Sequence, residues 1–149
     1  MTAAMTDFGF ENVVVKKGDK MRIFLADDST LVRERLKTLF SEIKGVEIAG
    51  EAYDVPGTID GIQGCKPDVL ILDIRMPGGN GFDVLRSLKQ SQLNTIVIVL
   101  TNYPFPEYRK ISAELGAQFF FDKSGELEEV RKVLENLVMD YSTIRRESI

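Results

Sequence analysis

A chain of 149 residues, 44% hydrophobic and 28% charged, is long enough for one domain with its own core and too short for two. The net charge of −4, with no dense Lys/Arg cluster, argues against a nucleic-acid surface. One cysteine and no histidine exclude an internal disulfide, a Cys–His nucleophile and a histidine general base.

No apolar stretch approaches the roughly 20 residues of a bilayer span, and the N-terminus lacks the basic start and apolar core of a signal peptide. A reducing cytoplasm is the expected location, with no membrane partner.

In chain order, residues 1–20 stand apart. They hold Phe8, Phe10 and Val13–Val15 before Lys16 and Lys17, and are expected to form a mobile extension rather than an extra strand. Met21 opens the first core strand and also reads as a translational start. Arg22–Ala26 is the first strand, and it stops at Asp27-Asp28. Leu31, Leu36, Leu39, Phe40 and Ile43 mark the apolar face of a helix capped by Ser29 or Thr30. A second strand is expected at Val46–Gly50. Asp54 to Cys65 carries Pro56, Gly57, Gly61 and Gly64, which predicts a short or frayed helix with Val55, Ile59 and Ile62 inward. Cys65 reads as a small, partly buried residue at that helix end.

Val69–Leu72 is a third apolar strand and ends at Asp73. Asn80-Gly81 starts a helix marked by Phe82, Leu85 and Leu88. A fourth strand, Thr95–Leu100, leads into Thr101. Ile111 and Leu115 mark the next helix, closed by Gly116. The run Phe119–Phe121 then leads to Lys123, and Leu127, Val130, Val133, Leu134, Leu137 and Val138 form the last and strongest helix. The domain is expected over 21–141. Residues 142–149 read as a short polar tail, leaving no room for an output domain.

Strands that alternate with helices and are apolar throughout imply an α/β fold, a parallel sheet covered on both faces. In such sheets the site lies at the carboxyl ends of the strands, which gathers Asp27, Asp28, Asp73, Thr101 and Lys123. A carboxylate ending an apolar strand is costly unless a cation neutralises it. Three hard oxygen ligands without Cys or His suit Mg²⁺, or Mn²⁺, better than zinc or copper. Around such an ion Asp73 can attack phosphorus and hold an acyl phosphate, with Lys123 neutralising charge. The Thr101 hydroxyl can turn toward a phosphoryl oxygen, and Phe120 can enter the space it leaves.

These residues resemble response-regulator receiver domains, the aspartate-phosphorylated halves of two-component systems. The matching pieces are Ile23 to Ser29, Leu70 to Pro77, Asn80-Gly81, Val99 to Thr101, and Gly116-Ala117 through Phe121 to Ser124, in the expected order and at receiver-like spacing. The resemblance implies a five-stranded flavodoxin-like parallel sheet of order 2-1-3-4-5. It implies Asp73 as phosphoacceptor, Asp27, Asp28 and Asp73 as metal ligands with the Arg75 backbone carbonyl, and Thr101, Phe120 and Lys123 as the switch. Three departures follow. The bulky loop Asn102-Tyr103-Pro104-Phe105-Pro106 is expected to narrow access to Asp73 and slow phosphoryl entry and hydrolysis. Arg75 is placed to contact or screen the phosphoryl group. Ser124 replaces the proline often found after the lysine, so the bond before it is expected to be trans.

The leading expectation is a receiver-only phosphoprotein. It takes phosphate from a histidine kinase or phosphotransfer protein and catalyses only its own phosphorylation and dephosphorylation. It signals by docking a protein target, on a face made by the fourth helix, fifth strand and fifth helix with Tyr103, Phe105 and Tyr108 exposed. That face could instead support a homodimer. A relay intermediate that passes phosphate on is the alternative. An aspartate-nucleophile phosphohydrolase would need an acidic residue where Arg75 stands, and a flavin domain would meet repulsion from Asp27-Asp28.

Overall fold

Period-two alternation sends the apolar side chains of each strand to opposite faces of one sheet, and each face meets its own helices. The computed structural model describes residues 20–147. Expectations for the N-terminal extension therefore lie outside the described residues, Lys20 apart. Five strands, β1 Met21–Ala26, β2 Val46–Ala52, β3 Val69–Leu72, β4 Ile96–Thr101 and β5 Phe119–Asp122, form a parallel sheet of order β2-β1-β3-β4-β5. This is the flavodoxin-like order expected from the sequence. The helices are α1 Thr30–Ser41, α2 Val55–Cys65, α3 Gly81–Ser91, α4 Pro106–Glu114 and α5 Leu127–Glu147. A two-residue antiparallel ladder, Arg75–Met76 with Gly79–Asn80, lies between β3 and α3.

Met21, Ile23, Leu25, Val69, Ile71, Ile96, Ile98 and Leu100 project to one face, where α1 and α5 bury Leu36, Phe40, Val130, Leu134 and Leu137 against them. The alternate residues Phe24, Ala26, Leu70, Leu72, Val97, Val99 and Phe120 project to the other, covered chiefly by α2, α3 and α4. Each fully covered large side chain contributes about 1.5–3 kcal/mol by leaving water. The two layers hold the strand ends, and so the site, in a fixed register.

Several local expectations change. Leu31 is 70% exposed rather than part of the α1 stripe. It stands five residues before Leu36, about 140° off the buried line, and Val32, one turn before Leu36, packs on the core in its place. The α2 segment is a regular helix of 11 residues, not a frayed one. Asp54 accepts a hydrogen bond from Gly57 N at 2.7 Å at its start. At its end Lys66 adopts a left-handed φ of 49° and donates to the Ile62 carbonyl. Its glycines serve packing: a Cβ at Gly61 would lie 2.5 Å from Phe24 Cζ, and one at Gly50 2.8 Å from Phe24 Cε2. The Phe24 ring fills the space that these two glycines leave.

β2 runs two residues past the expected Gly50, and α5 continues through Glu147 where a tail from 142 was expected. No Gly or Pro interrupts Ser142–Glu147, so nothing in that stretch stops the helix. Asn80 and Asp83 form a reciprocal capping box that starts α3.

Candidate functional site

β1 ends at Ala26, β3 at Leu72, and their pairing sets Ala26 beside Leu72. The next residues, Asp27 and Asp73, therefore emerge together at the carboxyl edge, and Asp28 follows. Ligand oxygens of Asp27, Asp28 and Asp73 all lie within 4.8 Å of one another. Asp27 and Asp73 are 3% and 5% exposed, whereas Asp28 is open to solvent. Three carboxylates this close, without a thiolate or imidazole, suit the hard-oxygen shell of Mg²⁺. Lys123, directly after β5, reaches across the site. Its Nζ donates to Asp27 Oδ2 at 2.5 Å and to Asp73 Oδ2 at 3.0 Å.

Burial pushes the Asp73 carboxyl above its ordinary value, and the neighbouring Asp27 charge adds to this, against the lowering effect of Lys123. Burial works to lower Lys123, but the hydrogen bonds and charges of Asp27 and Asp73 outweigh it and leave it raised. The cluster is thus a strained set of like charges held by one ammonium, ready for a further cation.

The remaining predicted residues surround this centre. Thr101, the last residue of β4, is fully buried and its Oγ1 accepts from Tyr103 N at 3.1 Å. Phe120 points into the α2/α3/α4 face. The Arg109 guanidinium lies 4.5 Å from its ring centroid and donates to its carbonyl at 3.2 Å. Arg75 N lies 3.4 Å from Asp73 Oδ1, while its guanidinium turns outward, 3.8 Å from the Tyr103 ring centroid and 3.4 Å from Tyr108 Oη. A groove of about 350 Å³ lined by Asp28, Arg75, Met76, Pro77, Gly79 and Asn80 opens beside the acidic cluster. The described residues contain no cis peptide bond, so the bond before Ser124 is trans.

Tyr103 and Phe105 are exposed, at 37% and 44%. Tyr108 differs from expectation. It is partly buried, packed edge-on against Phe82 at 5.6 Å and Phe105 at 5.3 Å, because α4 turns that position toward α3. Sequence reasoning also passed over Arg33 and Arg109, surface-type residues that reach Glu51 of β2 and Phe120 of β5.

Residues 23–135 match the response regulator receiver domain family, and the chain belongs to that family. It is 30% identical over 127 residues, 80% of its length, to a protein-glutamate methylesterase/protein-glutamine glutaminase of Alkalilimnicola ehrlichii, of which it covers 32%. It is 32% identical over 112 residues, 75% of its length, to the transcriptional regulatory protein YhcZ of Bacillus subtilis, of which it covers 52%. The chain thus spans about a third of one relative and about half of the other. Among solved structures, the signal receiver domain of the response regulator designated NarL from Mycobacterium tuberculosis superposes with a TM-score of 0.75 at 29% identity. The match covers 81% of this chain and 98% of that one. Receiver domains of two-component systems are signalling units that interact with histidine kinases and downstream effectors, and phosphorylation with Mg²⁺ binding fits the family. Among the described residues, no helix is long and apolar enough to cross a membrane.

Proposed function

We propose that Asp73 is the phosphoacceptor of a response regulator receiver, taking its phosphoryl group from a histidine kinase or a phosphotransfer protein. One observation carries this reading: a nearly buried carboxylate ends β3 within 4.8 Å of two others and is bonded to the ammonium of Lys123. An Asp73 oxygen forms the new bond to phosphorus, and the donor's leaving group departs with the electron pair of the bond that breaks. Asp27, Asp28, Asp73 and the Arg75 carbonyl would hold Mg²⁺, which neutralises charge on the phosphoryl oxygens when bound. Lys123 stabilises the same charge from the other side. Thr101 supplies a hydroxyl that is free to donate, since the bond it makes to Tyr103 N uses it only as an acceptor. Output is by docking of a protein target at the face where Tyr103 and Phe105 are exposed.

Incubation with Mg²⁺ and acetyl phosphate should add one phosphoryl group by intact mass, and Asp73→Asn should remain unmodified. An unmodified wild type, or equal labelling of the variant, ends this reading.

The same variant tests the electrostatics. The folded protein holds the Asp73 proton more tightly than the unfolded chain does. The stability contributed by that protonation is complete at low pH and is lost as pH rises from the ordinary aspartate value of 3.8 through the raised folded value. In metal-free buffer Asp73→Asn should therefore melt above the wild type at neutral pH, and the gap should close toward about pH 3. A variant that melts lower at neutral pH would show that the Lys123 pairing outweighs burial.

A further inference from the structure

Arg33, on the first turn of α1, is a long cation with only 11% of its side chain exposed, and the proposed chemistry gives it no role. Burying a guanidinium requires that its donors be satisfied. All three faces of the fork are used. Nε donates to Glu51 Oε1 at 2.8 Å, Nη1 to the Asp27 backbone carbonyl at 2.5 Å, and Nη2 to Thr30 Oγ1 at 3.2 Å. Glu51, near the end of β2, also pairs with Lys37, so it is fixed from a second side.

The target of this fork is what matters. Asp27 is restrained at every polar atom. Its N–H donates to the Ala52 carbonyl at 3.1 Å, its Oδ1 accepts from Ser29 N at 2.9 Å, its Oδ2 accepts from Lys123, and its carbonyl accepts from Arg33. Three of those partners belong to the sheet edge, the helix cap and the acidic centre. Arg33 ties the backbone between Asp27 and Asp28 to Glu51 near the end of β2. The peptide that it holds is the one that joins the two carboxylates.

We propose that Arg33, anchored by Glu51, is a positioning residue for the divalent-cation site: it fixes the Asp27–Asp28 peptide so that both carboxylates are presented without further ordering when the ion arrives. Groups that orient metal ligands without touching the metal set affinity in this way. The inference rests on the metal-assisted reading given above.

The sign of the effect separates positioning from simple charge. Arg33 is a cation near a cation site. On Coulomb grounds alone its neutral replacement should tighten Mg²⁺ binding, and a lysine should leave it unchanged. Positioning predicts the opposite. Isothermal titration of the metal-free full chain with MgCl₂ should give an affinity about tenfold weaker for Arg33→Met. Arg33→Lys keeps the charge but loses the fork, and it should fall between the variant and the wild type. Circular dichroism confirms that each variant is folded, and Arg33→Lys decides the matter if Arg33→Met is not. Unchanged or tighter binding in a folded Arg33 variant overturns the proposal while leaving the metal site standing. A wild type that does not bind Mg²⁺, or an Asp28→Ala control that binds as well as wild type, removes the metal site and this inference with it.

Discussion

Lys123→Met is expected to produce a protein whose stability depends on divalent cation and whose phosphoryl acceptance is nearly lost. In the structure one ammonium serves two almost fully buried carboxylates, Asp27 and Asp73. Two like charges within 4.8 Å of each other repel by several kcal/mol, about 3–4 at an effective dielectric of 20. Asp73, already raised above its ordinary value, takes up a proton and caps that cost. The net loss in metal-free buffer should be about 2–3 kcal/mol, less than for a fully enclosed pair. Millimolar Mg²⁺ should restore much of it, because the ion no longer competes with the ammonium for the same oxygens. Calorimetric melts with and without Mg²⁺ read this directly. Phosphoryl acceptance from acetyl phosphate should remain down by about 100–1,000-fold even at saturating Mg²⁺, the scale for removing one preorganised charge-stabilising donor. Wild-type labelling in this variant would show that the ammonium is a structural counter-ion and nothing more.

Gly81→Ala should be destabilising although alanine is the better helix former by about 1 kcal/mol. Gly81 is the first residue of α3, and its N–H donates to the Ile74 carbonyl at 2.6 Å. A Cβ there would lie 2.7 Å from the Asp73 carbonyl oxygen and 3.0 Å from Ile74 Cα. These are backbone atoms, so no side chain can swing aside. Either α3 moves off its Asn80 cap or the Asp73–Ile74 backbone moves. We expect a loss of about 1–3 kcal/mol, the range for overpacking, measured by chemical denaturation. A displacement of the nucleophile by a fraction of an ångström should also cut phosphoryl acceptance by at least about tenfold. A variant as stable and as readily labelled as wild type would mean that the close approach relaxes elsewhere.

The acidic centre was legible in the sequence because a carboxylate that ends an apolar strand makes no sense as core packing, and the parallel strand pairing did bring Asp27, Asp28 and Asp73 together. The sheet was legible for a related reason: uninterrupted runs such as Ile71–Leu72 and Ile98–Val99 read as strands buried on both faces. What escaped depended on contacts between distant segments or on the exact phase of a helix. The glycines of α2 look like helix breakers until the Phe24 ring is seen above Gly61. Leu31 looks like core until the helical phase places Val32 inward instead. Tyr108 sits one turn into α4 beside Phe82, a contact that no local pattern encodes. Arg33 and Glu51 carry no motif of their own, and residue type does not reveal that Arg33 also donates to the Asp27 carbonyl.

The three consecutive phenylalanines of β5 divide their labour across the sheet. Phe119 and Phe121 stack on the α1/α5 side, ring centroids 6.3 Å apart and nearly parallel at 10°, while Phe120 alone faces the opposite side under Arg109. The strand is therefore packed on both sides, and a rotamer change at Phe120 would break its contacts with Arg109 and the α2/α3/α4 layer while the Phe119–Phe121 stack stayed in place. A message carried by Phe120 would travel as a side-chain event over an undisturbed backbone. Hydrogen exchange at the β5 amides that stays slow after phosphorylation is the signature expected of such a side-chain event, and faster exchange there would mean that the strand itself opens.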